Sequence, residues 1–329
     1  MQSRLLRTAL LAGLSAVFAG SCKEDPNTHT TFTAVTSNAP TPDAAMTMTM
    51  QDAAAPPTDG KTSGCGMDPN QPTATYFEYH LSVAGPDLDA NNHPTVRDRI
   101  YYVRIPNTYD QTKPNRVVYL APGCGGNTPS QVFKLYPFSG EDAILVAMMP
   151  LPDLPYNGCF DETMNSIEYP FFAALHQQIE SAFCVDTSRQ YYAGFSTGAR
   201  LGFMLDCAFS DVLRGTATDQ GALPPLPACK NHPVAGFFLA DTQETGNPYQ
   251  SNVMAANRLA MQNGCTGTFT NATAFNPMTT TPLPATTACV QYTGCPAAYP
   301  IVFCTTMGQG HQTFEPWSDE AFWNFFKQF

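Results

Sequence analysis

From residue 75 onward, the hydrophobic positions of the chain form short runs separated by polar turns. These runs predict eight strands, at 75–83, 99–105, 116–121, 143–149, 190–194, 213–217, 234–240 and 301–304. Some of them, such as residues 144–147, are apolar at every position. Continuous apolar runs are typical of strands that are covered on both faces, so the pattern favours a buried sheet.

Helical periodicity falls between the later strands. Large apolar side chains recur every three or four positions over about 168–184, and similar patterns follow Ser196, cover about 250–262 and follow Ser318. We expect Ser318 to be the N-cap of the last helix, because two acidic residues follow it. Two leading strands and then alternating strands and helices predict an α/β fold with a mostly parallel sheet and helices on both faces.

The first residues have the pattern of an export signal. Two arginines precede an uncharged apolar run at 8–20, which is too short to cross a bilayer and predicts a signal peptide over 1–21. The run ends in Phe-Ala-Gly-Ser-Cys, which resembles a bacterial lipobox and makes Cys22 a candidate for lipidation. The alternative is ordinary cleavage after Ala19.

The segment that follows has the composition of a linker. Residues 22–64 are rich in Thr, Pro, Ala and Asp and show no hydrophobic periodicity, which predicts a disordered tether. The composition becomes globular at Cys65, so we expect one catalytic domain over 65–329. No later segment has the length of uninterrupted apolar residues that a membrane span requires.

Composition narrows the function classes. Hydrophobic residues make up 43% of the 329 positions and aromatic residues 12%, which is enough for a large core. The 16 Lys and Arg residues stand against 27 Asp and Glu, for a net charge of −11. Because nucleic-acid binding needs a basic face, we expect no nucleic-acid partner.

Cysteine usage indicates an oxidising compartment. There are 11 cysteines, and if Cys22 carries lipid the remaining ten are an even number that predicts five disulfides of open connectivity. No two cysteines have the C-x-x-C spacing of a metal site. These features favour a protein that is secreted or held on the outer surface of a bacterium. We also expect a monomer that uses no metal and no organic cofactor.

A nucleophile motif lies in the middle of the chain. Residues 194–198 read Gly-Phe-Ser-Thr-Gly, the G-x-S-x-G pattern that places a serine on a sharp turn between a strand and a helix. A predicted strand precedes Ser196 and a predicted helix follows it. This context makes Ser196 the candidate nucleophile and predicts an α/β-hydrolase fold, in which the chain order is serine, acid, histidine.

The histidine and the acid follow from that order. His311 lies in a Gly-rich loop after the last predicted strand, where it can act as the general base. Only five carboxylates lie between Ser196 and His311. Asp241 and Glu244 come just after the strand that ends at residue 240, where the catalytic acid of this fold is normally found. Asp219, at the end of the preceding strand, is a third and less favoured candidate.

The oxyanion hole should combine two backbone amides. One is that of Thr197, directly after the nucleophile, and the other comes from a loop after an earlier strand. The segment Pro-Gly-Cys-Gly-Gly-Asn at 122–127 fits that loop, which makes Cys124 the second candidate.

Four motifs together resemble secreted feruloyl esterases and polyhydroxybutyrate depolymerases. They are CVDTSR at 184–189 leading into GFSTG, APGCGGN at 121–127, NGC at 263–265 and GQGH at 308–311. The resemblance spans about residues 98–329. It implies an extracellular serine esterase that cleaves feruloyl or acetyl esters on plant polysaccharide, or polyester chains.

The resemblance also assigns roles to single residues. Ser196 matches the nucleophile and His311 the base of the family. The family's acid lies shortly before a Pro-Tyr pair, and counting back from this pair gives Glu244 rather than Asp241. Pro122 replaces a histidine before the oxyanion glycines and Ala199 replaces a glycine after the serine, so this sequence departs from the family on the substrate side.

Rival interpretations stay open. The protein could instead be a polyester depolymerase or, in a different class, a non-catalytic lipoprotein that binds polysaccharide. The aromatic residues Phe314, Trp317 and Tyr249 are candidates for an acyl pocket, with ordinary core packing as the alternative.

Overall fold

The computed structural model describes residues 61–329, apart from 141, 154 and 285. The predicted signal peptide, Cys22 and nearly all of the predicted tether lie outside the described residues. Ten strands form one sheet: β1 (Tyr76–Leu88), β2 (Pro94–Arg104), β3 (Asn115–Ala121), β4 (Ala143–Met148), β5 (Val185–Phe195), β6 (Gly215–Asp219), β7 (Ala235–Asp241), β8 (Thr273–Ala274), β9 (Ala288–Gln291) and β10 (Ile301–Thr306).

The sheet has a parallel centre and antiparallel edges. Its order is β1-β2-β4-β3-β5-β6-β7-β10-β9-β8. The six strands from β4 to β10 in that order pair in parallel. β1 and β2 add an antiparallel hairpin at one edge, and β9 and β8 add short antiparallel strands at the other. The predicted mostly parallel sheet is confirmed.

Helices cover both faces of the sheet, as predicted. They are α1 (Tyr136–Ser139), α2 (Glu168–Ala182), α3 (Thr197–Ala208), α4 (Tyr249–Gln262) and α5 (Trp317–Phe326), with short 3-10 turns at Pro129–Gln131 and Phe269–Asn271. Side chains of α2, α3 and α4 share one apolar cluster with the sheet, and those of α5 share a second cluster on the opposite face. The central strands β4, β6 and β7 are buried at every position, which explains the apolar runs of β4 and β7.

Three local predictions need correction. The prediction that Ser318 caps the last helix is wrong, because α5 begins at Trp317 after Pro316, and the Ser318 N–H already donates to the Phe314 carbonyl. The sequence pattern also missed β8 and β9, which are too short to show a period of two. The hairpin strands extend further toward their shared turn than predicted, because the added residues of β1 and β2 are exposed or half-buried and carry no continuous apolar pattern.

Five disulfides join the ten described cysteines, which confirms the predicted number. The pairs are Cys65–Cys184, Cys124–Cys159, Cys207–Cys229, Cys265–Cys295 and Cys289–Cys304. The second pair links the loop after β3 to the loop after β4. Among the described residues, no helix combines the length and hydrophobicity that crossing a membrane requires.

A buried ion pair fastens the hairpin to α2. Arg99 of β2 donates to the Glu168 carboxylate over 2.6 Å, and both side chains are almost wholly buried. The Arg99 guanidinium also lies 3.9 Å from the ring centroid of Phe171, on the same helix as Glu168. Removing one partner of such a pair leaves the other charge unpaired in an apolar interior.

We expect Glu168→Leu alone to lower the free energy of unfolding by about 3–5 kcal/mol, because Arg99 then keeps an unpaired buried charge. The double variant Arg99→Met/Glu168→Leu should recover most of that loss, since neither charge remains. Urea unfolding of the wild type, both single variants and the double variant measures the coupling. A double variant no more stable than Glu168→Leu would contradict this account.

Candidate active site

The predicted site residues meet at the carboxyl edge of the parallel strands. Ser196 follows β5, Glu244 follows β7, and His311 follows β10. The segment 122–127 follows β3, which lies next to β5. Because parallel strands all end at the same edge of a sheet, residues far apart in the chain converge there.

Ser196 occupies the strained turn that its motif predicts. Its φ and ψ are 56° and −118°, and α3 begins at the next residue. A positive φ is costly for a residue with a Cβ, so the surrounding chain must hold the turn in place. The Ser196 N–H donates to the Asp219 carbonyl at the end of β6 over 3.0 Å, which ties the turn to the neighbouring strand.

The two glycines of the motif are required by close backbone contacts. A Cβ on Gly194 would lie 2.3 Å from the Gly198 carbonyl oxygen. A Cβ on Gly198 would lie 2.5 Å from the carbonyl oxygen of Ala121, the last residue of β3. Neither position has room for a side chain, so β5, α3 and the end of β3 pack backbone against backbone beneath the serine.

A hydrogen-bonded relay joins Ser196, His311 and Glu244. Nε2 of His311 lies 2.9 Å from Oγ of Ser196, and Nδ1 lies 2.5 Å from Oε2 of Glu244. A carboxylate only accepts hydrogen bonds, so Nδ1 carries the proton and Nε2 is free to accept the serine proton. The imidazole also stacks on the Phe195 ring at 4.8 Å between centroids. This is the geometry of a serine nucleophile with its general base.

Glu244 is fixed by bonds to its second oxygen. Oε1 accepts the N–H of Gly246 over 2.5 Å and that of Asn247 over 3.0 Å. Oδ1 of Asn247 in turn accepts from the Arg200 guanidinium, whose other end pairs with Glu162. The Glu244 side chain is 1% exposed, so water does not compete for its bond to His311.

Asp241 bonds to the histidine loop, not to the histidine. Its carboxylate accepts the Thr306 hydroxyl over 2.8 Å and the N–H groups of Gln243 and Gln309 over 2.8 and 3.0 Å. Burial raises the pKa of Asp241, but these donors outweigh burial and hold the pKa below its ordinary value. The geometry therefore favours Glu244 over Asp241 as the residue that orients His311, because the Asp241 oxygens bond to other groups.

The other carboxylates between the serine and the histidine are also accounted for. Asp206 pairs with Arg258 and Asp211 with Lys230. Asp219, the reserve candidate, is fully buried, and neither of its oxygens hydrogen-bonds a described residue. Burial, with added repulsion from nearby acids, raises the pKa of Asp219 well above its ordinary value. Asp219 therefore lacks the donors that a catalytic carboxylate needs, and it does not contact His311.

The structure brings the two predicted oxyanion residues together. Thr197 is the first residue of α3, so its N–H has no carbonyl partner within the helix. Its Oγ1 lies 3.7 Å from Sγ of Cys124, and the disulfide to Cys159 holds that loop. A Cβ on Gly123 would touch Ser196 Cβ at 3.1 Å, so the loop lies directly beside the nucleophile.

The aromatic candidates for an acyl pocket belong to the packing instead. Trp317 is 1% exposed and Phe314 is 7% exposed, both within the cluster under α5. Tyr249 packs edge-on against Phe269 and Phe303, and its hydroxyl bonds with Thr305 over 2.8 Å. The packing alternative is the one that the structure bears out for these three residues.

Sequence reasoning missed the residues that support the relay. Arg200, Asn247, Phe195 and Gln220 all contact a member of the relay or the chain next to it. No motif marks these positions, because each acts through a partner distant in sequence. Among the described residues, no group of three or more His, Cys, Asp or Glu side chains is arranged to hold a metal ion.

Comparison with known proteins agrees with the motif resemblance. No protein-family model matches the chain. The chain is 28% identical over 220 residues to feruloyl esterase C of Emericella nidulans, covering 64% of this chain and 72% of the relative. It is 26% identical over 218 residues to a probable feruloyl esterase C of Aspergillus oryzae, covering 63% and 71%. These relatives confirm the resemblance to feruloyl esterases.

The fold is confirmed by the arrangement itself. A mostly parallel sheet, a strained serine turn after β5 and the chain order serine, acid, histidine are the features of the α/β-hydrolase fold. Among solved structures, an acetyl xylan esterase from Aspergillus awamori is similar with a TM-score of 0.48 at 13% identity, covering 75% of this chain and 99% of that chain.

Neutralising Glu244 should reduce the catalytic rate far more than neutralising Asp241. Glu244→Gln removes the charge that holds the Nδ1 tautomer of His311, so we expect kcat for an activated ester to fall about 10³- to 10⁴-fold. Asp241→Asn should cost much less, because Asp241 bonds the loop and not the imidazole. Steady-state kinetics of both variants, with far-ultraviolet circular dichroism to verify folding, measures the difference. Equal losses in the two variants would contradict the assignment.

Proposed function

We propose that this protein is a serine esterase that hydrolyses carboxylic esters, with feruloyl and acetyl esters on plant polysaccharide as its substrates. The observation that carries the proposal is the Ser196–His311–Glu244 relay, with bonds of 2.9 and 2.5 Å on a strained turn. The relatives named feruloyl esterases support the choice of ester.

The first half-reaction forms an acyl-enzyme. Oγ of Ser196 attacks the ester carbonyl while Nε2 of His311 takes the hydroxyl proton. Glu244 stabilises the imidazolium that results and does not itself take the proton. His311 then gives the proton to the leaving alcohol, which departs as the tetrahedral intermediate collapses.

The negative oxygen of that intermediate needs two donors. The N–H groups of Thr197 and Cys124 are suited to this role, since both residues lie beside Ser196. Donors fixed before the reaction stabilise the developing charge without reorganisation. The Cys124–Cys159 disulfide supports the role, because it limits movement of the loop that carries the second donor.

The second half-reaction releases the acid. Water enters when the alcohol has left, His311 takes a proton from it, and the hydroxide attacks the acyl carbonyl. His311 then returns the proton to Oγ of Ser196. Because the imidazole is 39% exposed, water reaches Nε2 from solvent. No step in this sequence calls for a cofactor.

We expect a fluorophosphonate probe to label the wild type and not Ser196→Ala, and Ser196→Ala to lose nearly all hydrolysis of p-nitrophenyl acetate and methyl ferulate. Ser210→Ala is the matched control: Ser210 is also buried but bonds the N–H of His232 at the opposite edge of the sheet. The control should be labelled and turn over like the wild type.

The outcome also separates the rivals. Faster release of ferulate from feruloylated oligosaccharide than of acids from polyhydroxybutyrate granules favours the polysaccharide esterase, and the reverse favours the depolymerase. A wild type that is neither labelled nor active, and whose glycan binding is unchanged in Ser196→Ala, would replace the esterase by the non-catalytic binding lipoprotein.

We further propose that the protein acts as a monomer outside the cytoplasm, with a lipid anchor on Cys22 after removal of residues 1–21. Five disulfides support an oxidising compartment. The lipobox-like sequence at residues 18–22 supports the anchor.

Expression of the full chain in a bacterial host with a clickable fatty acid tests the anchor. The wild type should carry the label and partition with membranes, whereas Cys22→Ser should lose the label and become soluble. Label that persists in Cys22→Ser, or a wild type without label, would show ordinary cleavage instead.

A further inference from the structure

The loop that carries His311 has little packing of its own. Residues 307–309 and His311 are exposed, although the imidazole must stay within hydrogen-bond distance of Ser196. Hydrogen bonds from outside the loop must therefore fix its position. Among the described residues, Thr286 donates to the Met307 carbonyl over 3.0 Å at the start of the loop. Next to His311, the loop backbone bonds to the side chains of Asp241 and Gln220.

Gln220 joins the histidine loop to the end of β7. Its Nε2 donates to the Gly310 carbonyl over 3.1 Å, one residue before His311. Its Oε1 accepts the Asp241 N–H over 3.2 Å, and its own N–H donates to Leu239 over 2.9 Å. Gln220 is fully buried, so water does not replace these bonds.

The backbone of Gln220 is itself strained. Its φ is +57°, the left-handed region that residues with a Cβ rarely adopt. The residue follows Asp219, whose carbonyl accepts the N–H of Ser196. The same turn thus contacts the nucleophile through Asp219 and, through Gln220, the residue before the general base. Strain of this kind persists only where the surroundings hold it, and it clusters at functional sites.

We propose that Gln220 is a positioning residue for His311. Its side-chain amide accepts the Asp241 N–H and donates to the Gly310 carbonyl, and this hydrogen bond sets the distance from the imidazole to Ser196. This inference rests on the proposed esterase function. Asp241 provides a second hydrogen bond by accepting the Gln309 N–H, so the loop is fixed at two successive residues. Gln220 does not touch the substrate and acts only through the loop.

Two variants separate positioning from packing. Gln220→Leu keeps the volume and removes both bonds, whereas Gln220→Gly also relieves the positive φ. Gln190→Leu is the matched control. Gln190 is also a buried glutamine with side-chain partners, here Tyr119, His176 and Glu180, but it lies in the middle of β5, six residues before Ser196.

We expect kcat per fluorophosphonate-titrated site to fall about 10- to 100-fold in Gln220→Leu and Gln220→Gly. KM should stay within about threefold, because ground-state binding of the substrate does not involve the hydrogen bond from Gln220 to the loop. Gln190→Leu should keep kcat within about threefold even where its melting temperature falls. Wild-type kcat in both Gln220 variants, or an equal loss in Gln190→Leu, would overturn the proposal.

A readout that needs no turnover keeps this test apart from that of the esterase function. The His311 Nδ1 proton bonded to Glu244 should give a downfield proton resonance, assigned by its absence in His311→Ala. It should shift or broaden in both Gln220 variants and stay in place in Gln190→Leu. If the wild type hydrolyses no ester, the proposed esterase function fails. A displaced resonance in the Gln220 variants would still support the positioning role of Gln220, and an unchanged resonance would overturn it.

Discussion

The backbone contact beneath Ser196 is the constraint on which the site depends. Because Gly194 and Gly198 have no side chains, β5, α3 and the end of β3 approach closely enough to fold the chain back at the serine. The positive φ of Ser196 costs about 1–3 kcal/mol, which burial of the strand and helix on either side offsets. The strained turn lifts the hydroxyl out of the sheet edge and directs it toward the histidine.

The other functional groups of the site come from separate segments of the chain. The acid follows β7, the base follows β10, and the oxyanion loop follows β3. None of these loops has a core of its own. Each is held by a bond from a neighbour: Glu244 by two backbone N–H groups, the loop at Cys124 by a disulfide, and the loop at His311 by side chains after β6 and β7.

The supply of hydrogen-bond donors distinguishes the two buried acids Asp219 and Glu244. Asp219 is closer in sequence to Ser196 than Glu244 is, but its carboxylate oxygens are buried without a hydrogen-bond donor among the described residues, and burial raises its pKa well above the ordinary value. Glu244 is also buried, yet it accepts two backbone N–H bonds and that of His311. The difference between the two residues is the supply of donors, and that supply comes from the turn 244–247.

Sequence alone predicted the parallel strands and the leading hairpin of the sheet, the main helices and the number of disulfides, and it marked Ser196 and His311 as candidates. Apolar periodicity, the glycine motif and the order of residues along the chain can all be taken directly from the sequence. Position after the strand narrowed the acid to Asp241 and Glu244, and only the family resemblance ranked Glu244 above Asp241. Only the tertiary structure directed Glu244 to the imidazole and Asp241 to the loop, paired the cysteines and revealed Gln220. These outcomes depend on which loops meet at the sheet edge, and that is fixed by strand order rather than by local sequence.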